Sequence, residues 1–292
     1  MQERPAVARA LLMMMIAGAA RLASAQAISP TPPTPPTPPA PAATGQAVFP
    51  VFEGWYRNPD GSYSLSFGYF NRNTKEAVDV PLGANNVIAP ANGGQPQPTH
   101  FEPRRHWGVF VVTVPATFGK KQSVTWTLTV RGETYAIPGS LRPEWQIDAQ
   151  EGEVGSGNTP PALRFAENGA VGSGPGGITA SPAEAVVGQP LTLSVWATDD
   201  GRTPAITATS STPAPPQTTL TWFVHQGPAS AVFGTPTAKV PAAGGSASTT
   251  VTFAQPGSYV LRVRANDQSG VIAAGHAQCC WTNGFVRVTV TR

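Results

Sequence analysis

The stretch Val251-Thr-Phe-Ala-Gln-Pro-Gly-Ser-Tyr-Val-Leu-Arg-Val-Arg-Ala-Asn-Asp267 contains the clearest structural pattern in the chain. After its Pro-Gly pair, Tyr259, Leu261 and Val263 alternate with two arginines. Successive side chains of a strand point to opposite faces of its sheet. The alternation therefore predicts a strand with one face in a core and the arginine face in solvent.

Similar short runs rich in Val, Thr and aromatic residues recur after residue 45, and Gly, Pro and Asn separate them. No stretch sustains the 3.6-residue period of a helix. The runs predict strands at Ser62–Phe70, Trp107–Pro115, Ser123–Val130, Thr134–Ile137, Leu191–Trp196, Thr219–Val224, Ala247–Phe253, Ser258–Arg264 and Phe285–Val290. Trp126, Trp196 and Trp222 lie within these strands and are expected in cores. Repeated short strands with regular turns indicate an all-β fold made of sandwiches.

Composition divides the chain into five segments. They are a signal peptide at 1–25, a Pro-rich linker at 26–45, a β-sandwich at 46–148, a Gly-rich connection at 149–176 and a second sandwich at 177–292. Each sandwich segment is long enough to bury a core of its own. We therefore expect two antiparallel β-sandwiches after the signal peptide and the linker.

The start of the chain has the features of a secretory signal peptide. Arg4 and Arg9 precede the apolar run Leu11–Ala20, and Ala23-Ser-Ala25 matches a small-residue cleavage site. The apolar run is too short to remain as a membrane anchor. The expected location is therefore secreted, periplasmic or cell-surface, with no transmembrane anchor in the mature chain.

Charge is sparse and nearly balanced. The chain has 19 Lys and Arg against 16 Asp and Glu, and the predicted signal peptide holds three of the arginines and one of the glutamates. The mature chain is therefore almost neutral, and no basic stripe follows a phosphate backbone. Nucleic acid is not an expected partner. The expected partner is an extracellular or envelope protein, or a polysaccharide.

In Thr221–Pro228 of the second predicted sandwich a Trp strand leads into Gly-Pro, and in Val251–Asp267 a Pro-Gly-x-Tyr turn opens a strand that ends in Ala-x-Asp. This pattern resembles the PKD-like branch of the immunoglobulin-like β-sandwiches, and with it we expect two immunoglobulin-like antiparallel β-sandwiches in the chain. The Asp-Phe-Gly-Asp-Gly stretch of many PKD domains is absent, so only the looser branch fits. The resemblance implies a spacer, an adhesion module or an enzyme appendage of a secreted protein. The first predicted sandwich carries no such resemblance.

The sequence lacks the motifs of common catalytic sites. It has no Gly-x-Ser-x-Gly elbow, no His-Glu-x-x-His pair and no phosphate-binding glycine loop. Its four histidines include His225, which falls in a predicted strand without a nameable partner. We therefore expect a non-catalytic exported binding, adhesion or scaffold protein. The alternatives are a carbohydrate-binding accessory module and an unrecognised metal-dependent hydrolase.

Residues 83–106 are predicted to form a long irregular loop that contacts the partner. The loop ends in His100-Phe-Glu-Pro-Arg-Arg-His106, the densest polar cluster of the chain. Arg104 and Arg105 have planar guanidinium groups that suit acidic ligands, and with His106 they are the binding candidates of this loop. The two histidines and the glutamate could instead bind Zn²⁺ or Cu²⁺, or form a solvated or salt-bridged loop.

The second predicted contact loop, residues 266–284, holds the only two cysteines, Cys279 and Cys280. Adjacent Cα atoms lie about 3.8 Å apart across a trans peptide, so a vicinal disulfide between them is strained. The other options are two buried thiols, an intermolecular bridge, or metal binding with His276. A stiffened loop would present Trp281 as a platform for a sugar or a protein. Alternatively, Trp281 packs over the open end of the core.

Three carboxylates of the second sandwich follow predicted strands. Asp199 and Asp200 come after one strand and Asp267 after another, so the three could share a Ca²⁺ ion at one pole of the sandwich. The same residues are ordinary turn formers. The main expectation is therefore no cofactor, with Ca²⁺ as the option to test.

Overall fold

The computed structural model describes residues 40–90, 94–149, 157–202, 215–267 and 280–292. One compact unit spans residues 41–292. Within the described ranges the regular secondary structure is almost all β-strand, and the single helical element is a 3₁₀ turn at Pro143–Trp145. This confirms the predicted all-β class. No helix in these ranges is long and apolar enough to cross a membrane. The predicted signal peptide and most of the predicted Pro-rich linker lie outside the described residues.

The strands between residues 48 and 139 form the first sandwich. They are β1 (Val48–Arg57), β2 (Tyr63–Asn71), β3 (Val78–Asp79), β4 (Asn86–Ala89), β5 (His100–Phe101), β6 (Arg104–Val114), β7 (Val124–Val130) and β8 (Glu133–Gly139). The sheets β1-β2-β6 and β4-β7-β8 are antiparallel, and β3 pairs with β5. Leu65, Phe67 and Trp126 are fully buried in the core that these strands share.

The strands from residue 162 onwards form the second sandwich. They are β9 (Ala162–Arg164), β10 (Ile178–Thr179), β11 (Ala183–Val186), β12 (Leu191–Thr198), β13 (Gln217–Gln226), β14 (Ala231–Phe233), β15 (Thr237–Pro241), β16 (Gly245–Phe253), β17 (Gly257–Asn266) and β18 (Trp281–Thr291). One sheet has the order β14-β16-β12-β9, and the other β10-β18-β17-β13-β15 with β11 also beside β18. Only β10 and β11 run parallel to their described partner strand. Every strand predicted from the sequence overlaps an observed one.

The segment predicted as a long loop, residues 83–106, contains β4, β5 and the start of β6. The Asn86 amide donates to the carbonyl oxygens of Val80 and Pro98, at 2.9 and 2.8 Å, and accepts from the Trp126 indole at 3.0 Å. Strand β4 has only four residues, so its backbone pairing is short. The side-chain hydrogen bonds of Asn86 therefore hold this segment against the first core. The prediction of one irregular loop is therefore wrong for β4, β5 and the start of β6, whereas residues 94–99 carry no strand.

The same segment also contacts the second sandwich. Thr99 donates its backbone N–H to the carbonyl oxygen of His225 at 2.8 Å. The side-chain amide of Gln226 donates to the carbonyl oxygens of Gln95 and Gln97, at 2.8 and 2.7 Å. The end of β13 is therefore hydrogen-bonded to the first half of the chain, and the two sandwiches share a polar junction.

The segment predicted as a Gly-rich connection, residues 149–176, contributes a strand to the second sandwich. Its β9 pairs with β12, where Ala197 lies opposite Leu163. Leu163 is fully buried in the second core. The three residues of β9 are too few to show an alternating pattern, so the sequence does not reveal this strand.

The tryptophans assigned to cores divide into two groups. Trp126 and Trp222 are buried in the first and second core, as expected. Trp196 is half-buried outside the core, because its neighbours Val195 and Ala197 occupy the core-facing positions of β12. The expectation of a core position is therefore wrong for Trp196.

The arginine face of β17 is also buried. Arg262 is 2 % exposed and donates to the Asn283 side-chain oxygen at 3.0 Å. The guanidinium carbons of Arg262 and Arg264 lie 4.5 and 5.4 Å from the centre of the Phe223 ring, and His106 of the first sandwich lies edge-on to that ring at 5.7 Å. The prediction of a solvent-facing arginine stripe is therefore wrong, because the first sandwich covers this face.

Candidate functional site

The candidate site forms where two β-bulges meet the central strand β2. In β1, Glu53 is the extra residue of a bulge, and in β6, residues 107–109 bulge opposite Gly68. Bulges bend a strand and redirect its side chains, which is why they occur beside functional sites. A Cβ on Gly68 would lie 2.2 Å from Glu53 Oε1 and 2.3 Å from the His106 carbonyl oxygen. Glycine at this position therefore makes room for the groups that the bulges bring together.

A buried ion pair connects the two bulged strands. Arg105 Nη2 lies 2.7 Å from Glu53 Oε1, and the side chains are 21 % and 4 % exposed. Arg105 Nη1 also donates to the carbonyl oxygens of Tyr69 and His106, at 3.1 and 2.7 Å. Burial raises the pKa of the Glu53 carboxyl to about 7, although Arg105 and the Gly108 N–H both lower it. The Arg105 fork predicted to bind an acidic ligand is thus largely engaged within the chain.

A groove of about 390 Å³ opens beside this pair. It is lined by Val51, Phe52, Glu53, Arg105, Trp107, Trp145 and Ile147. Trp145 is 44 % exposed, and its ring packs against Phe52 at 5.7 Å. Trp107 is half-buried, and the Arg105 guanidinium covers one face of its ring at 3.8 Å. Two indole rings therefore line an open, mostly apolar groove that contains one ion pair.

The segment that carries Trp145 is fixed to β1. The Trp55 indole donates to the Arg142 carbonyl oxygen at 2.7 Å, and Ile147 donates its backbone N–H to the Trp55 carbonyl oxygen at 2.9 Å. Gly54 has a φ of 134°, and a Cβ there would lie 2.5 Å from the Trp145 carbonyl oxygen. The groove wall is thus held in place before any ligand binds. Trp145 lies outside every predicted strand, but so do Trp55 and the fully buried Trp281, so the sequence alone does not single it out.

The other two binding candidates of the 83–106 segment do not line this groove. Arg104 has a φ of 72°, donates to the Arg72 carbonyl oxygen at 3.1 Å and lies over the Phe70 ring at 5.1 Å. His106 is stacked on Tyr69 at 4.8 Å. Burial, with the nearby arginines of β17, lowers the pKa of His106 to about 3, so its ring is neutral. Of the three candidates, only Arg105 belongs to the groove.

Trp281 lies at the start of β18 and is fully buried. Its indole N–H donates to the Gly108 carbonyl oxygen at 3.3 Å, and the Asn283 amide donates to the same oxygen at 2.7 Å. The ring therefore packs against the bulge of β6 and has no exposed face. Cys280 is buried beside it, and Cys279 lies outside the described residues, so the vicinal disulfide stays a prediction.

The predicted metal-binding histidines have different surroundings. His100 Nδ1 lies 2.7 Å from Asp79 Oδ1, and its Nε2 lies 3.4 Å from Glu102 Oε1. Burial lowers the pKa of His100, but hydrogen bonds to the two carboxylates outweigh this and raise it to about 9. His106 is elsewhere, against Tyr69. The described residues include no group of three His, Cys, Asp or Glu side chains that could hold a metal ion.

The three aspartates proposed for Ca²⁺ accept hydrogen bonds from the chain. Asp199 accepts from Gly201 N at 2.9 Å, and burial raises its pKa to about 6. Asp200 accepts from the N–H and hydroxyl of Thr159, at 3.1 and 3.0 Å. Asp267 accepts from the Asn158 amide at 2.7 Å. Of these bonds, only the one between Asp199 and Gly201 belongs to a turn, whereas Asp200 and Asp267 are bonded to the distant segment of Asn158 and Thr159. Ca²⁺ binding at these aspartates stays a prediction.

Comparison with known proteins gives only distant likeness. No family model and no curated protein matches the chain. Similar solved structures include the D0-D1 domain of intimin, with a TM-score of 0.26 and 10 % identity over 83 % of this chain and 97 % of that one. Domains 4 and 5 of the S-layer protein SbsC give 0.22 and 12 % over 85 % and 98 %. Red sea bream transglutaminase gives 0.23 and 12 % over 84 % and 31 %. TM-scores this low carry no argument about function.

Proposed function

We propose that this protein is a non-catalytic exported binding protein that holds an extracellular polysaccharide in the groove between Trp107 and Trp145. The observation that carries the proposal is the pair of indole rings in one open groove of about 390 Å³. A sugar ring has an apolar face of C–H groups, and the electron-rich face of an indole attracts such groups. A groove open to solvent accepts an inner segment of a long chain.

The polar groups of the groove suit sugar hydroxyls. Glu53 and Arg105 form an ion pair at 2.7 Å beside the two indole rings. Three of the five N–H donors of the Arg105 guanidinium are used within the chain, and its 21 % exposed side chain leaves the others for a sugar hydroxyl. Hydrogen bonds to charged groups are stronger than those between neutral groups, so one such bond helps to orient a hydroxylated ligand. The mixture of a mostly apolar lining with few polar groups is typical of ligand sites.

The single carboxylate among the described lining residues of the groove favours binding of a polysaccharide over its hydrolysis. Most glycoside hydrolases use two carboxylates that flank the bond to be broken. Among the described lining residues, Glu53 is the only carboxylate, and Arg105 pairs with it. This arrangement lacks the second carboxylate that acts as nucleophile or base. The proposal of a non-catalytic protein rests on this point and on the absence of catalytic motifs in the sequence.

The experiment is a binding assay of the chain that follows residue 25 against chitin, cellulose and peptidoglycan sacculi. We expect at least one polymer to retain the protein, and Trp107→Ala and Trp145→Ala to weaken retention about tenfold each. Trp196→Ala is the matched control, because Trp196 is half-buried on β12 and does not line the groove.

Circular dichroism establishes that each variant is folded. If Trp107→Ala and Trp145→Ala are retained as well as the wild type, the polymer does not bind in the groove. Failure of all three polymers, and of further polysaccharides, to bind would overturn the proposed function itself.

A further inference from the structure

A second cleft, of about 280 Å³, lies at the junction of the two sandwiches. Its lining residues include Gln95, Pro96, His225, Gln226, Phe285 and Arg287. None of them lines the tryptophan groove. Clefts between packed units are common ligand sites, and this volume is near the lower end of the range of about 300–1,000 Å³, which suits a small molecule.

The wall of the cleft is fixed by hydrogen bonds between the sandwiches. His225 Nε2 lies 2.7 Å from the Pro96 carbonyl oxygen, which can only accept, so this nitrogen carries the hydrogen. The Phe285 ring packs edge-on to His225 at 5.2 Å. Burial lowers the pKa of His225 to about 3, so the ring is neutral and adds no charge to the cleft.

Gln226 supplies an oriented acceptor. Its Nε2 donates to the carbonyl oxygens of Gln95 and Gln97, so both amide hydrogens are used and the amide plane is fixed. No described residue donates a hydrogen bond to its Oε1. This oxygen is also not fully buried, because it is absent from the buried polar atoms that lack a partner. The oxygen is therefore set in place for a hydroxyl or N–H of a ligand.

Arg287 supplies the charge. It is exposed on β18, lines the cleft and forms no ion pair with any residue of the described ranges. A guanidinium binds a carboxylate through two parallel hydrogen bonds. Phe285 is half-buried, lines the same cleft and provides apolar surface, whereas the Phe110 ring in the cleft wall is only 1 % exposed. The cleft thus combines a cation, a fixed acceptor and one accessible aromatic ring.

We propose that this cleft binds a single hexuronic acid. The carboxylate pairs with Arg287, a hydroxyl donates to Gln226 Oε1, and the C–H face of the sugar ring lies against Phe285. This site goes beyond the proposed function, because it is separate from the tryptophan groove and takes one acidic sugar rather than a polymer segment.

The test is isothermal titration calorimetry of the chain that follows residue 25 with sodium D-glucuronate, sodium D-galacturonate and D-glucose. We expect one of the two uronates to bind, and glucose, which lacks the carboxylate, to bind about tenfold more weakly. Arg287→Gln should weaken uronate binding by a similar factor. Lys239→Gln is the charge control, because Lys239 is exposed on β15 and does not line the cleft.

Two readouts separate this site from the groove. Uronate binding should persist in Trp145→Ala, and saturation transfer should connect the sugar protons to the Phe285 ring. The proposal is overturned if neither uronate binds, if Arg287→Gln binds as tightly as the wild type, or if Trp145→Ala abolishes binding. In the last case the uronate occupies the tryptophan groove, and the proposed function gains a ligand while this inference fails.

Discussion

Glu53 and Arg105 face each other at 2.7 Å from two different bulged strands, directly over a glycine of the strand between them. Because both side chains are mostly buried, each depends on the other for the stabilisation of its charge. The same pair forms the polar part of the tryptophan groove. The bulges therefore link the stability of the first sandwich to the shape of its candidate binding site.

Removing one member of this pair should destabilise the fold more than removing both. Glu53→Leu leaves the Arg105 guanidinium buried without its carboxylate, and we expect the free energy of unfolding to fall by about 3 kcal/mol. The double variant Glu53→Leu with Arg105→Met carries no buried charge and should recover most of that loss. Urea unfolding of the four proteins measures the coupling. If the double variant loses as much free energy of unfolding as the two single variants lose together, the two residues act independently.

Gly108 should tolerate a side chain less well than a glycine of similar backbone conformation elsewhere. Gly108 and Gly132 have φ values of 46° and 82°, but a Cβ on Gly108 would lie 2.5 Å from Trp281 Cζ2, whereas nothing lies within 4 Å of a Cβ on Gly132. Both alanine variants carry backbone strain of about 1 kcal/mol. We expect Gly108→Ala to lose roughly 2 kcal/mol more than Gly132→Ala, because it also displaces Trp281. Equal losses in urea unfolding would contradict the packing of Trp281 on this bulge.

The ion pairs of His100 should make stability depend on pH. Its folded pKa of about 9 exceeds the usual 6.5, so the folded state holds this proton more tightly than the unfolded state does. The contribution is fully present below about pH 6.5 and is lost as the pH rises through about 9.

The measurement is the difference in free energy of unfolding between the wild type and His100→Gln from pH 6 to pH 10. We expect this difference to shrink by roughly 1–2 kcal/mol over that range, after allowance for solvent screening. Asp79→Asn is the companion variant, because it removes the partner at 2.7 Å and should flatten the same profile. A difference that does not change with pH would mean that folding does not raise the pKa of His100.

The intact mass under non-reducing conditions tests the predicted vicinal disulfide of Cys279 and Cys280. We expect a monomer that is two hydrogen atoms lighter than the reduced chain and that takes no alkylating agent after denaturation. A denatured monomer that takes two alkyl groups would establish two thiols and remove the disulfide. A disulfide-linked dimer would establish the intermolecular alternative.

Alternation in the sequence predicts strands well because it reports which residues share a face. It does not report what covers that face. The residues of β17 alternate as predicted, yet Arg262 is buried because the first sandwich packs against it. Trp281 is buried for the same reason, since its partner Gly108 is 173 residues away in the chain.

The residues of the candidate groove could not be predicted from the sequence, for a different reason. Glu53 and Trp107 occupy bulges, which change the face of a side chain without a distinctive residue pattern. Trp145 joins them only because hydrogen bonds tie its segment to β1. Arg105 was identified as a binding candidate from its charge, but its engagement with Glu53 depends on the pairing of β1 and β6 with β2.

The most direct test of the central claim is a titration of the ¹⁵N-labelled chain with a soluble oligosaccharide of whichever polymer retains it. The chain has seven tryptophans, and each indole N–H gives its own NMR signal, assignable by single substitutions. The proposed function predicts that the signals of Trp107 and Trp145 shift together while those of Trp126, Trp222 and Trp281 stay in place. Shifts confined to other tryptophans, with Trp107 and Trp145 unchanged at saturation, would contradict it.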